Sequence, residues 1–445
     1  MTRSEIQAFK TSDHTSMRIL LILLLALASA LAQRWEGAPE YRAISGAPTS
    51  AGPNLDRSYI LDFAAQGRFK GTIVLVPGFL GGATNFEALA RRLVLAAPGW
   101  EVWAWDRRSN GLEDRSGFST PDPWTFYRNY KIPAFPFLKD WGLKVHLDDL
   151  DAVIGAAKAR GPVVLAGHSL GASIVCLYAL YRPEKLDGLI LLDGGPNLVR
   201  VTKEQYLNGD ASGRLGFGPA PGLNDLLTGK TPPYTALFGL DPLSFAQAEA
   251  QAYMAAQDPQ ADAPPGWVKY PSSRIAAALA RIAARYQPVP IFAVSVGRAE
   301  AREGINLVGL FLNTLSFTVR GPRGRRVEWQ DTGDATDPIE FLQLYAHPNT
   351  GFSEWFFPYR LTLDISAWDV AMPELKPRGL PFSVLALGAG NGLLQKVESF
   401  KAVGDVLPGT KTDIRILPGL THLDLLVGRN GPAVGPIAEY LKAVR

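Results

Sequence analysis

Gly167-His168-Ser169-Leu170-Gly171 constrains this chain more than any other stretch. It lies between the apolar run Val163-Val164-Leu165-Ala166 and a longer apolar run from Ala172 to Tyr181. The pattern predicts a buried strand, a sharp turn and a helix. Such a turn lifts a serine hydroxyl above a sheet edge. It needs glycine on both sides, because side chains there would collide with the neighbouring strand and helix. The helix N-terminus behind Ser169 favours negative charge developing nearby. The turn therefore reads as a nucleophile; a structural turn that happens to hold serine is the alternative.

The rest of the chain supplies a setting for that turn. Thr72 to Val76 is a buried strand ended by Pro77-Gly78, Val102 to Trp105 is another, and Ser58 to Phe63 reads as a first strand. Helices are expected over Asn85 to Ala96 and over His146 to Ala159, where Leu147, Leu150, Val153, Ile154 and Ala157 share one face. Leu189 to Leu192 is the next strand and runs into Asp193-Gly194-Gly195-Pro196. The alternation stops at about Asn197. It resumes with a strand at Phe382 to Leu387, a helix at Leu393 to Val403, a strand at Asp413 to Leu417 and a helix near Val434 to Val444. Strands alternating with helices predict a mostly parallel, doubly wound sheet covered on both faces. The interruption, about 180 residues, is long enough to be a subdomain. Residues 58–196 and 379–445 are thus the expected core and 197–378 an inserted cap, with a helical stretch at Ser273 to Tyr286.

Composition narrows the class. Hydrophobic residues make up 47% and charged residues 20%, which suits a large folded core. A net charge of +3 on 45 basic and 42 acidic residues argues against nucleic-acid binding driven by bulk charge. The single cysteine, Cys176, excludes an intrachain disulfide and a cysteine-built metal site. The five histidines show no metal-binding spacing, and no cofactor is implied. One basic cluster, Arg320, Arg323, Arg325 and Arg326, reads as a solvated hairpin tip, with contact to an anion or, transiently, to a membrane surface as the alternative.

Residues 1–32 resemble an export signal. Arg18 precedes the apolar stretch Ile19 to Leu27, and Ala30-Leu31-Ala32 has the small-x-small form of a cleavage site. The apolar run is shorter than the ~20 residues of a comfortable membrane span. Met17-Arg18 offers an alternative start, and an uncleaved anchor is the alternative fate. Residues 33–57, rich in Gly, Pro, Ala and Ser, read as a leading arm.

A serine hydroxyl needs a base, a group that orients the base, and donors for the oxyanion. His422 follows the last strand at the same sheet edge as Ser169, and is the candidate base; a loop histidine capping the final helix is the alternative. Asp193, at the carboxyl end of its strand, is the candidate orienting acid, although a strand-ending Asp often only caps a turn. Asn391, as a neutral orienter, is a second candidate. Asp405 should lie at the opposite edge, Asp424 is badly placed two residues past the histidine, and Asp106 and Glu113 belong to a neighbouring loop.

Pro77-Gly78-Phe79-Leu80-Gly81-Gly82, Asp106-Arg107-Arg108-Ser109-Asn110-Gly111, the turn Gly167 to Gly171 and the late His422 together resemble the α/β-hydrolase superfamily. The resemblance implies an α/β-hydrolase fold and the order Ser, acid, His. It implies oxyanion donors at the backbone N–H groups of Phe79 and Leu170. The acid commonly follows the seventh strand, but that loop here reads Gly388-Ala389-Gly390-Asn391-Gly392 without a carboxylate. Asp193-Gly194-Gly195-Pro196 resembles the arrangement of some lipases of the superfamily, with the acid after strand six. The expected activity is a serine esterase or lipase acting on small-molecule or lipid esters. Acyl transfer on the same site, or a non-catalytic binding module that keeps the fold, are the alternatives. Epoxide-hydrolase and dehalogenase chemistry is disfavoured, because such relatives place an aspartate where Ser169 stands. Trp267, Trp329, Trp355, Phe356, Phe357, Tyr359 and Trp368 suggest either a packed cap core or an apolar pocket over Ser169.

Overall fold

The computed structural model describes residues 37–196, 200–210, 220–236, 241–287, 293–300, 302–304, 318–320, 325–347 and 349–444. The expected signal segment 1–32 and the centre of the basic hairpin tip, 321–324, lie outside the described residues. Packing separates Met1–Gly37 from Ala38–Arg445, and the fold below is that of the second unit.

Its centre is an eight-stranded sheet. In chain order the strands are β1 Glu40–Ser45, β2 Arg57–Phe63, β3 Gly71–Val76, β4 Trp100–Asp106, β5 Val163–His168, β6 Gly188–Leu192, β7 Val384–Ala389 and β8 Thr412–Leu417. In space they run β1-β2-β4-β3-β5-β6-β7-β8. β1 with β2, and β2 with β4, are antiparallel, and every other neighbouring pair is parallel. β3, β5, β6 and β7 are buried from end to end, as apolar strands covered on both faces must be. The helices α1 Glu87–Ala96, α2 Leu143–Lys158, α3 Leu170–Tyr181 and α5 Val434–Leu441 include the sheet's main coverings, whereas α4 Pro242–Gln257 packs on other helices. α1 packs on α5, and α2 on α3.

Register decides what meets at the carboxyl edge. His168 pairs with Leu192 across β5 and β6, Leu192 with Leu387 across β6 and β7, and Ala389 with Leu417 across β7 and β8. The loops carrying Ser169, Asp193, Asn391 and His422 therefore emerge side by side.

Three expectations are corrected. The leading arm contains β1, which extends the sheet; its polar, half-exposed EYRAIS gives no hydrophobic signal because it is an edge strand. The helix expected from Leu393 begins only as a 3-10 turn at Val397–Phe400 and continues as Lys401–Val406. The N–H groups of Leu393 and Leu394 instead bond Asp193. The helix expected over Ser273 to Tyr286 is α-helical only at Arg274–Leu279, because Ala284 N–H turns to the Val294 carbonyl.

The aromatic residues singled out above form packed cores. Trp355, Phe356 and Phe357 are fully buried, and Tyr359, Trp368, Trp267 and Trp329 nearly so. Trp355 and Phe356 join Tyr127, Leu138 and Trp141 in one cluster, while Trp267 meets Trp124 edge-on in another. Each buried ring of this kind contributes roughly 1.5–3 kcal/mol, so these residues are accounted for by packing.

Arg108 pins the arm. Its buried guanidinium donates to Asp149 (2.7 Å from Nε), to Asp56 (3.0 Å) and to the Ala47 carbonyl (2.8 Å). Asp149 in turn accepts the Ala47 N–H at 2.8 Å. Removing one member leaves buried carboxylates without their counter-charge, which costs about 3–5 kcal/mol. Arg108→Met is expected to lose stability on that scale in urea unfolding, and limited proteolysis is expected to cut first within 46–56.

Candidate active site

Ser169 stands at the top of β5 with φ 56° and ψ −123°, immediately before α3. An L-residue reaches that conformation only under constraint. Among the described residues only Leu80 (φ 59°) and Asp193 (φ 43°) are other non-glycine residues at positive φ. The three lie in the loops after β3, β5 and β6. Backbone strain of about 1–3 kcal/mol per residue is thus gathered at one place, as at sites where geometry matters more than stability. The elbow closes because a Cβ on Gly171 would stand 2.2 Å from the Val76 carbonyl oxygen and one on Gly167 2.3 Å from that of Gly171.

Asp193 organises the adjoining loops. Its own N–H bonds the Leu387 carbonyl at 2.7 Å, and the Ser169 N–H bonds Leu192 at 2.9 Å. Its carboxylate accepts the backbone N–H groups of Ala389 (3.1 Å), Leu393 (2.8 Å) and Leu394 (2.9 Å). It also stands 2.6 Å from His422 Nδ1. Burial by itself would raise this carboxyl, but the hydrogen bond and charge of His422 and the Leu394 and Leu393 N–H groups outweigh it and hold the group below the usual carboxylate range. An ionised carboxylate only accepts, so Nδ1 carries the hydrogen of this bond.

His422 is held from below and behind. The His168 ring lies 4.2 Å from it between centroids, and His168 Nε2 donates to the His422 carbonyl at 3.1 Å. Burial, then the neighbouring His422, pushes His168 well below its ordinary pKa, so it stays neutral. Asp424 serves the backbone and hydroxyl groups around the histidine. It accepts Thr421 N–H and Oγ1–H (2.8 and 2.7 Å), Ser295 N–H (3.0 Å) and Thr336 Oγ1–H (2.8 Å), and so shapes the loop that carries the histidine. Asn391 bonds the Leu420 carbonyl through its backbone at 2.9 Å, and Asp405 sits in the helix Lys401–Val406. Ser169, His422 and Asp193 are 4%, 1% and 0% exposed, so a charge formed among them is poorly screened by water.

Leu170 is the first residue of α3, with its N–H at the positive end of the helix. The Phe79 loop passes against Ser169: a Cβ on Gly78 would lie 2.8 Å from Ser169 Cβ and 3.4 Å from Oγ. Two residues that sequence reasoning did not select hold this loop. Arg107, fully buried, donates from Nη1 to the Pro77 carbonyl (2.8 Å) and from Nη2 to those of Gly78 (2.8 Å) and Gly81 (2.9 Å). Its Nε donates to Glu354 at 2.7 Å, also fully buried. Arg107 lies within the Asp106-to-Gly111 motif; Glu354, between β6 and β7, carried no signal.

A cleft of about 490 Å³ opens beside the histidine loop, with Arg285, Ser295, Asn391, Gln395 and Thr421 in its wall. Among the described residues no group of three or more His, Cys, Asp or Glu is placed to hold a metal ion.

The α/β hydrolase fold family model matches residues 71–289. No curated protein sequence matches the chain. Among solved structures, the chain is similar to an epoxide hydrolase from Vigna radiata, with 13% identity over 91% of this chain and 98% of that one and a TM-score of 0.48. It is similar to Epoxide Hydrolase A from Mycobacterium thermoresistibile, with 14% identity over 92% and 99% and a TM-score of 0.47. It is also similar to a thermophilic esterase from Thermogutta terrifontis, with 14% identity over 91% and 99% and a TM-score of 0.41.

A Cβ on Gly392 would stand 2.1 Å from Asp193 Oδ2. Gly392→Ala is therefore expected to displace the carboxylate or its loop and to cost about 1–3 kcal/mol, measured by urea unfolding.

Proposed function

We propose that this chain, which belongs to the α/β-hydrolase superfamily, is a serine hydrolase that cleaves small-molecule or lipid carboxylic esters through an acyl-enzyme. The observation that carries the reading is the 2.6 Å contact of His422 Nδ1 with Asp193 Oδ2, at the edge where Ser169 holds its strained elbow.

In the proposed reaction Ser169 Oγ attacks the ester carbonyl and His422 Nε2 takes the hydroxyl proton. Asp193 keeps the imidazole in the tautomer that leaves Nε2 basic, and stabilises the imidazolium that forms. The N–H groups of Phe79 and Leu170 receive the oxyanion. His422 returns the proton to the departing alkoxide. Water then enters, gives a proton to the same nitrogen and attacks the acyl carbonyl; the Ser169 Oγ–acyl bond breaks, Oγ takes the proton back from His422, and the acid leaves.

Residues 1–32 are proposed as an export signal on their sequence pattern alone. N-terminal sequencing of the mature protein from culture medium or periplasm is expected to begin at Gln33. Among the described residues no helix is long and apolar enough to cross a membrane.

Hydrolysis of p-nitrophenyl butyrate by Ser169→Ala is expected to fall by at least about 10³-fold, and that by Asp193→Asn by about 10³–10⁴-fold. A fluorophosphonate probe is expected to label the wild type and not Ser169→Ala. A folded wild type that takes no label would point instead to a binding module.

A further inference from the structure

Arg107 and Glu354 take no part in the proposed proton relay, yet they form a fully buried ion pair against the loop that supplies Phe79. We propose that the pair is a positioning device for the oxyanion hole: it sets the direction in which the Phe79 N–H points. The inference rests on the serine-hydrolase reading above.

The argument begins with the peptide plane. In a trans peptide the C=O of one residue and the N–H of the next point in opposite directions. The Gly78 carbonyl is turned to Arg107 Nη2, so the Phe79 N–H is turned to the other side of the loop. Gly78 abuts Ser169 with no room for a Cβ, so this peptide lies at the nucleophile. The Pro77 and Gly81 carbonyls bond the same guanidinium, and the loop is thus fixed before and after Phe79. One planar cation with a rigid fork of donors does what separate side chains would do less reproducibly.

The insertion supplies the other half. Glu354 N–H bonds the Leu80 carbonyl at 2.9 Å, and Gly82 N–H bonds the Phe352 carbonyl at 2.9 Å. Gly81 and Ser353 form an antiparallel bridge. Leu80 at φ 59° is held in its strained conformation between these bonds. The Glu354 carboxylate also accepts Ser109 Oγ–H. Its charge neutralises Arg107, which would otherwise be an uncompensated buried cation. Phe357 lies edge-on to Phe79 at 5.0 Å between ring centroids.

An oxyanion donor acts on the transition state and little on the bound ester. The test therefore compares kcat with KM per titrated active site, using p-nitrophenyl butyrate and fluorophosphonate titration. The variants are Glu354→Gln, Glu354→Asp and the double change Arg107→Met with Glu354→Met. The double variant leaves no unpaired buried charge and so remains testable where the single one does not fold. The expected result is a kcat about 10–100-fold lower in Glu354→Gln and the double variant, with KM within about threefold. Glu354→Asp, which keeps the charge, is expected to lie between them and wild type. The rate of phosphonylation should fall in step with kcat. The acid limb of the kcat/KM profile should not move, because Asp193 and His422 are untouched. A merely structural role would lower the fraction of titratable sites and leave kcat per site unchanged. A folded double variant whose kcat per site stays within twofold of wild type overturns the proposal, as does a loss confined to KM. A wild type that takes no label overturns the serine-hydrolase reading and this inference with it; a labelled wild type with an unaffected variant overturns this inference alone.

Discussion

The carboxylate of Asp193 is the knot of the structure. It is buried at the end of β6, where an isolated charge would be costly, and it is stabilised by three backbone N–H groups and one imidazole. Those donors come from the end of β7, from the loop after it and from the loop after β8. One anion therefore fixes two chain segments that are about 200 and 230 residues away in sequence. Gly392 exists at its position because the carboxylate occupies the space a side chain would need. The loop after β7 carries no acid of its own, and it offers its backbone to the acid of the preceding strand.

Around this knot the chain between β6 and β7 braces two of the loops at the sheet edge. Segment 352–354 bonds the Phe79 loop, and the Ser295 N–H bonds Asp424 at 3.0 Å beside His422. The brace is itself tied by buried charge. Arg115 lies between Glu113 and Glu249 at 2.9 Å from each. Glu249 accepts the Ser353 N–H (2.9 Å) and Glu113 the Trp355 N–H (3.0 Å). Burial pushes both carboxyls up, countered in part by Arg115. Such pairs add little net stability over apolar packing, but removing one partner is expensive. The segment next to the oxyanion loop is thus held by interactions that tolerate few alternative geometries.

Much of the core was legible in the chain. Continuous apolar runs marked β3, β5 and β6, because strands buried on both faces have no polar side to hide the signal. Ser169, Asp193 and His422 were legible as strand-end residues, since successive parallel strands deliver their carboxyl ends to one edge. β1 was not legible, because an edge strand buries little and alternates weakly. The late start of the helix after β7 was not legible either, since local periodicity says nothing of a distant carboxylate that captures the N–H groups of Leu393 and Leu394. The aromatic richness of 197–378 left pocket and packing open. The structure resolves it toward packing, with Trp355, Phe356 and Phe357 fully buried.

The amino-acid order alone determined the parallel sheet, the glycine-flanked elbow at Ser169 and the order of the candidate residues along the chain. These follow from local sterics and from periodicity, which act over a few residues. Which acid faces His422, how the Phe79 peptide is turned, and that Arg107 meets Glu354 across 247 positions were decided only by tertiary structure. Each depends on a buried polar group finding its partner in space, and the cost of leaving such a group unpaired is a property of the folded interior.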